Sequence, residues 1–541
     1  LSTDENPPEV WKCTKNNWPT SDAFSGNRDD TELTQVDDNR WRLEIDDIRV
    51  YYQNTSTSCD LAEDEKIETM NMVFRNADGS KEGKGEGGSD IFVEVNDVSG
   101  ADPFLAVNLA NPDADPPLFP FMTASDTTVT VSVSADTARV DEFSELRLVV
   151  DGNQVASTSE TSLSEDLTLS TPNRFEVQGI AEATAGNETL RDTIETFLIR
   201  TPDVVDEPRP PGVQDGVNVE SESRVILSMF APKKDFVYAI GDFSDWEIDD
   251  EFFMKRHRVT PDSVHWWVEV DGLSSAQQYD YQFFVDGDIR MSDPFSEKAR
   301  SPDDQFLNQE YTVFPGLEPY PGGQTDGMVS VFDTEPDDFD FSAFDRPAPE
   351  NLVVYELLVR DFREQHSFQA VIDSLSYLDS LGVNAIELMP VSNFDGNISW
   401  GYNPNHHHAV DKSYGPAEDF KRLVDEAHQR GIAVILDVVY NHATDRSPFV
   451  QLYGTGDDNP FLNVPASISF SVFNQLNHGN GYVKNWMDRA NERWLTEFNV
   501  DGFRFDLSKG FISGQPANPN GFQQRRIDNL KRMANAIWAV D

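Results

Sequence analysis

Two cysteines, Cys13 and Cys59, are all that 541 residues carry. So few thiols exclude a disulfide-dense scaffold, and no Cys/His spacing of a zinc site is present. The two lie near the start of the chain. One disulfide within the first domain, fitting an oxidising compartment, and a pair of free thiols are both compatible with that placement. Positive charge is scarce as well: 42 Lys and Arg stand against 96 Asp and Glu, a formal net charge of −54. A polyanion is repelled by such a chain, so nucleic acid is excluded as a partner, and an anionic membrane surface is disfavoured for the same reason. No apolar run is long enough to cross a bilayer, so we expect no membrane insertion. Leu1 does not read as a native start. We expect that a leader has been removed or that the sequence begins late, and a secreted, cell-surface or periplasmic location is the expectation.

What is present argues for folded domains. The chain is 38% hydrophobic and 11% aromatic, which excludes global disorder, and its length calls for several domains rather than one core. An acidic excess of this size on a folded chain would repel itself at low ionic strength. Adaptation to high salt is therefore favoured over ordinary solubility by net charge.

Four segments separate by composition. Residues 1–100 contain strand-like pieces, Trp41–Ile45 and Ile91–Val95, around a Gly/Lys/Glu-rich turn. Residues 121–201 read as a small β-sandwich: Val129, Val131 and Val133 alternate with polar residues, and Leu146–Val150 runs into the hairpin signal Asp151-Gly152. A proline-bearing linker, 202–219, follows. Residues 220–316 are again β, with strands predicted at Arg224–Phe230, Phe236–Ile240, Trp266–Val270 and Tyr279–Val285. After a Pro/Gly/Asp-rich connection at 317–348 the pattern changes. Apolar runs at Val353–Val359, Ala385–Met389, Ala433–Val439 and Val500–Asp506 alternate with helical stretches at about 367–380, 416–430, 482–498 and 521–540. Such alternation means a parallel sheet covered by helices. The loop 443–480 is too long for an ordinary connection and reads as an inserted subdomain or functional loop.

The chemistry gathers at the ends of the last two strands. In Gly502-Phe503-Arg504-Phe505-Asp506, alternation puts Arg504 and Asp506 on one face and the two phenylalanines on the other. A carboxylate and a guanidinium buried together are costly unless used or paired, and the positive charge favours the ionised acid. An ionised, oriented carboxylate is what attack on an anomeric carbon requires. A purely architectural ion pair is the competing reading. The preceding strand ends Asp437-Val438-Val439-Tyr440-Asn441-His442. Asp437 is placed to pair with Arg504, and His442 to donate to a sugar hydroxyl. Tyr402, in Trp400-Gly401-Tyr402-Asn403-Pro404, is placed to stack on a sugar ring. Three adjacent histidines, His406-His407-His408, cannot face one ion from regular structure, so a metal reading is set aside. Asp457-Asp458 reads as a solvated turn.

Together these residues resemble the α-amylase superfamily of glycoside hydrolases, family 13. Asp437–His442 matches its first signature region and Gly502–Gly510 its second, in order, on consecutive strands. The resemblance spans roughly 349–541. It implies that Asp506 is the catalytic nucleophile, with Arg504 as its electrostatic partner. Tyr402, His442 and Asn441 would line the sugar at the cleavage site, Lys509 would lie on the leaving-group side, and Asp437 would support Arg504. Members often carry histidine after that lysine; here Gly510 stands in its place. No cofactor is implied, but the Asn441 position ligates calcium in many members, which leaves calcium open. Residues 220–316 resemble the family-48 carbohydrate-binding or early-set module that precedes such barrels. Trp246 and Trp267 there are candidates for sugar stacking, with core packing favoured. Residues 1–100, through Trp11, Trp18 and Phe74–Ser80, are similar to N-terminal β modules of multimodular secreted amylases, with starch binding as the expectation.

The implied fold is thus multidomain: N-terminal all-β, immunoglobulin-like and early-set sandwiches, followed by the first half of a (β/α)8 TIM barrel. The implied activity is retaining cleavage of α-1,4 bonds in an α-glucan such as starch, glycogen or a maltodextrin. Retention needs a second carboxyl about 5–5.5 Å away. The resemblance places that glutamate on the fifth strand, after Asp541, so the sequence is expected to be an inactive fragment of a longer enzyme. Two rival readings stay open: a related glucan transferase, branching or debranching enzyme, and a non-catalytic glucan-binding surface protein.

Overall fold

The alternating stretch around Val131 forms one long strand, Thr127–Ala138, with Val129, Val131 and Val133 buried and Thr128 and Thr130 exposed. It pairs antiparallel with Ser162–Leu169. Glu142–Val150 turns at Asp151-Gly152 into Asn153–Thr158 as expected, and Leu198–Arg200 pairs in parallel with Phe121–Thr123. The computed structural model describes residues 103–112, 118–170, 172–275, 277–307, 313–335, 337–469, 471–516, 518 and 520–540, together with the backbone of short strands before residue 95. Trp41–Arg42 and Ile91–Glu94 are among those strands. Cys13, Cys59, Trp11, Trp18 and the rest of the expected starch-binding module lie outside the described residues.

The chain divides into two compact units: residues 1–106, 136–144 and 182–192 in one, and 107–135, 145–181 and 193–541 in the other. All that follows concerns the second.

Between residues 216 and 332 two sheets face each other. One has four strands, Gly216–Ser221, Arg224–Phe230, Ser263–Asp271 and Lys255–Thr260. The other is built on Val237–Gly241 and Tyr279–Val285. It does not end at residue 316. Val329–Phe332, inside the stretch read as a connection, pairs antiparallel with Tyr279–Tyr281. Its partner lies some fifty residues upstream, a distance at which local pattern is silent. Trp246 and Trp267 are buried, with indole N–H groups donating to Asp242 Oδ1 at 2.9 Å and the Glu207 carbonyl at 3.0 Å. They are packing residues with no face open to a sugar.

Residues 354–505 contribute four parallel strands in chain order: β1 (Val354–Leu357), β2 (Ala385–Leu388), β3 (Ala433–Val438) and β4 (Gly502–Phe505). Each is shorter than its apolar run, which continues past the strand into the adjoining loops. The helix expected over 367–380 is two pieces, Phe368–Ile372 and Leu375–Ser380. The Ser374 hydroxyl sits at the break, donating to the Ala370 carbonyl and accepting from Arg363 Nε. Side chains of this kind compete with the helical ladder. Three longer helices follow: α1 (Ala417–His428), α2 (Gly481–Thr496) and α3 (Gln524–Val540). α1 buries Phe420, Leu423, Val424 and Ala427, and α2 buries Trp486, Met487, Ala490 and Trp494. No described helix is long and apolar enough to cross a membrane.

The β-sandwich and the parallel sheet share one hydrophobic core. Polar contacts reinforce the join. Trp486 Nε1 donates to the Pro294 carbonyl at 2.8 Å, and Arg489 Nη1 to the Asp215 carbonyl at 2.6 Å. The three adjacent histidines lie beside this join, and His406 and His408 contact Ser292 and Phe295 across it. They lie on the strand Pro404–Val410, all buried. His406 Nε2 accepts from the Ser292 hydroxyl at 2.7 Å and its Nδ1 donates to Asn393 Oδ1 at 3.2 Å. His407 faces the His442 carbonyl and His408 that of Trp486.

Burial pushes the His406 and His407 imidazoles down to about 3, and His408 well below the ordinary range. Held neutral in the fold, they take up protons on unfolding once the pH drops below about 6.5. Their stabilisation is therefore complete above pH 6.5 and is lost progressively as pH falls toward 3. Thermal melts between pH 7.5 and 4.5 should show a falling Tm, and His406→Asn should flatten that slope.

Candidate active site

Strands β3 and β4 are hydrogen-bonded in parallel with Asp437 directly beside Arg504. Both side chains project to one face, and the register brings them together. Arg504 Nη1 donates to both oxygens of Asp437, at 2.9 and 3.0 Å, and to Asp506 Oδ1 at 2.6 Å. Tyr402 closes the cluster from the loop after β2, its hydroxyl donating to Asp437 Oδ2 at 2.6 Å. The loop reaches that far because Gly401 holds a left-handed φ of +89° and a Cβ there would lie 2.4 Å from the Pro390 carbonyl oxygen. Only glycine permits so close an approach. Phe503 and Phe505 pack together on the opposite face, 6.0 Å between centroids.

Asp437 is 1% exposed while Arg504 is 43% exposed at the side chain. Arg504 lies on β4, the edge strand among the described residues. Burial pushes the Asp437 carboxyl up to about 6, against the hydrogen bonds from Tyr402 and Arg504 that pull it down. Burial opposes the charge on Arg504, but its hydrogen bonds to Asp506 and Asp437 outweigh that and hold it above the ordinary range. Burial, then the bond to Asp437, raises the Tyr402 phenol. Asp506 stands at the C-terminal end of β4, its amide donating to the Val438 carbonyl at 3.0 Å. With 22% of its side chain exposed and one oxygen held by Arg504, it is the member of the cluster that presents a fixed carboxylate to an incoming group.

Two expected sugar contacts are placed otherwise. His442 is 1% exposed and both ring nitrogens are engaged by protein: Nε2 donates to the Tyr402 carbonyl at 2.8 Å, and Nδ1 accepts from Asn441 Nδ2 at 3.0 Å. Burial lowers its pKa, which keeps the ring neutral. It positions the Tyr402 loop. Asn441 is fully buried, with Oδ1 turned toward Gly510 and no hydrogen-bond donor on it. Lys509, on the 3-10 turn after β4, reaches Asn520 Oδ1 at 2.7 Å.

The orphan oxygen of Asn441 is what a cation ligand would look like, yet its surroundings do not fit calcium. The Gly510 carbonyl beside it accepts from Gln475 Nε2 at 2.9 Å, and that amide's oxygen is bound to the Ser467 N–H and hydroxyl. An amide N–H group thus lies where further oxygens would be needed. Among the described residues, no three His, Cys, Asp or Glu cluster around a common point. Gln475 was not visible as a site residue in the sequence. Its role rests on the pairing of Asn474–Gln475 with His442–Ala443 inside the 443–480 loop.

The α-amylase catalytic-domain model matches residues 358–460. That stretch of the chain belongs to the α-amylase superfamily. Among curated proteins, a malto-oligosyltrehalose trehalohydrolase of Saccharolobus solfataricus is 39% identical over 168 residues, 31% of this chain and 29% of the relative. The 1,4-alpha-glucan branching enzyme of Jannaschia sp. is 28% identical over 350 residues, 60% of this chain and 46% of that enzyme. The chain thus spans less than half the length of either relative. The match to a Group B Streptococcus pullulanase structure covers 80% of this chain and 57% of that one, with 19% identity and a TM-score of 0.44.

Gly510, which stands where the resemblance led us to look for histidine, is explained by its neighbour. A Cβ there would stand 1.7 Å from Asn441 Oδ1 and 2.8 Å from Gln475 Nε2. Gly510→Ala should destabilise the protein by about 1–3 kcal/mol through overpacking. Because the closest clash is with the Asn441 side chain, adding Asn441→Ala should recover part of the loss, giving a coupling of about 1 kcal/mol in a urea-denaturation double-mutant cycle.

Proposed function

We propose that this chain carries the nucleophile half of a retaining α-glucan hydrolase active site, on the first four strands of a (β/α)8 barrel preceded by immunoglobulin-like and early-set β-sandwiches. The observation that carries the reading is the Asp437–Arg504–Asp506 chain of hydrogen bonds at the C-terminal ends of adjacent parallel strands. In barrels of this kind that end is where chemistry is done. The four aligned strands and the family-model match support the fold, and the glucan-active enzymes among the relatives support the substrate class.

In this reading the Asp506 carboxylate attacks the anomeric carbon and the bond to the leaving sugar breaks. Arg504 fixes the attacking oxygen's orientation and offsets its charge. Asp437 in turn holds Arg504 and the Tyr402 loop in place. Retention needs a second carboxyl to protonate the leaving oxygen, and the α-amylase resemblance implies that a strand after β4 carries it. Water then releases the glycosyl group from Asp506. The acidic surface suits a high-salt, extracellular setting.

The test uses a chain extended beyond Asp541 through the remaining barrel strands. It should release reducing sugar from starch. Asp506→Asn should lower kcat by about a thousandfold or more while leaving glucan binding within a few-fold. Release of new α-1,6 branches or transfer products instead of reducing ends would point to a branching enzyme or transferase. Binding without turnover in the unaltered chain would point to a glucan-binding protein.

A further inference from the structure

A cavity of about 670 Å³ lies where three elements meet: the linker residues 209–215, the sandwich strand Ser263–Asp271 and the first turns of α2. None of Tyr402, Asp437, Arg504 and Asp506 lines it. Its volume falls within the roughly 300–1,000 Å³ of sites that take small molecules. Phe230 and Tyr482, stacked with 4.1 Å between centroids and 18° between planes, contribute its apolar wall.

Arg209, His265 and Arg489 also line it, and in each the protein holds one end and leaves another free. Arg209 donates from Nη1 to Asp215 Oδ1 at 2.8 Å and to the Ser228 hydroxyl at 3.0 Å. His265 donates from Nδ1 to Asp215 Oδ1 at 2.8 Å. Arg489 donates from Nη1 to the Asp215 carbonyl at 2.6 Å, its guanidinium 3.9 Å from the centre of the Phe295 ring. Among the described residues, none accepts a hydrogen bond from Nη2 of either arginine and none meets Nε2 of His265. The three groups are therefore oriented in advance, which lowers the ordering cost of binding.

The charge of the cavity runs against the composition. The chain carries 96 acidic and 42 basic residues, yet Arg489 pairs with no described carboxylate. Of the two acids in the lining, Asp215 is 8% exposed and its carboxylate is engaged by Arg209, Ser228 and His265. Asp262 is exposed, in the turn before Ser263. A guanidinium held in place with N–H groups to give matches the planar geometry of a carboxylate or phosphate. We propose that this cavity binds a small metabolite through its oxyanion, a free phosphate or the phosphate of a phosphorylated sugar, seated among Arg209, His265 and Arg489. The inference stands apart from the hydrolase reading, because no residue of the Asp506 cluster lines the cavity.

Calorimetric titration of the 541-residue chain, at fixed ionic strength in chloride, would use inorganic phosphate, glucose 1-phosphate and glucose. Phosphate and the ester should bind and glucose should not. Arg489→Gln should weaken both about tenfold or more, and Arg489→Lys, which keeps the charge without the fork, should weaken them less. Tighter binding of the ester than of phosphate assigns the cavity to a phosphorylated sugar, and equal binding assigns it to the free ion; either supports the oxyanion site. Binding of neither, glucose matching the ester, or an unchanged affinity in Arg489→Gln would overturn it. Should Arg489→Gln fail to fold, Asp262→Lys decides, since that exposed position leaves both arginines and their partners in place. Tighter phosphate binding there supports the site, and equal or weaker binding overturns it.

Discussion

The site depends on one buried carboxylate. Asp437 sits at the end of β3 with 1% exposure and takes hydrogen bonds from Arg504 on β4 and from Tyr402 on the loop after β2. Three separate elements converge on it. Desolvation works against its charge and pushes its pKa to about 6, so it stays in place only because two donors meet it there. Arg504 is in turn fixed at two ends, which leaves Asp506 little freedom. The orientation of the exposed acid is therefore inherited from the buried one.

A second layer holds the first. His442 grips the Tyr402 carbonyl from below, and its own carbonyl accepts from His407. Gln475 ties the long loop to the turn after β4 through the Gly510 carbonyl, and Asn441 fills the space a side chain at 510 would need. The 443–480 segment contains the helix Pro448–Tyr453 and a two-stranded pairing, so it is a folded insert that closes over the ends of β3 and β4.

Much of this was legible in the chain. Period-two alternation put Arg504 and Asp506 on one face, and strand order made Asp437 the neighbour of Arg504; both follow from local geometry and parallel register. The same alternation located Val129–Val133 and the hairpin at Asp151-Gly152. What escaped was decided by contacts distant in sequence. Val329–Phe332 is a strand because Tyr279–Tyr281 offers it an edge. His442 looks like a free imidazole until its turn folds it under Phe473. Ser374 splits a helix that periodicity alone would run through.

The continuity of the core across the β-sandwich and the parallel sheet limits how this protein can be taken apart. Trp486 from α2 is sealed against the Pro294 backbone, and His406 is locked to Ser292. Cutting the polypeptide near residue 348 would lay bare Phe295, Trp486 and the histidine strand at once. The sandwich is thus no detachable accessory on a flexible tether. It is the wall against which the sheet closes, and evolutionary exchange of one for another would demand a matched surface on both.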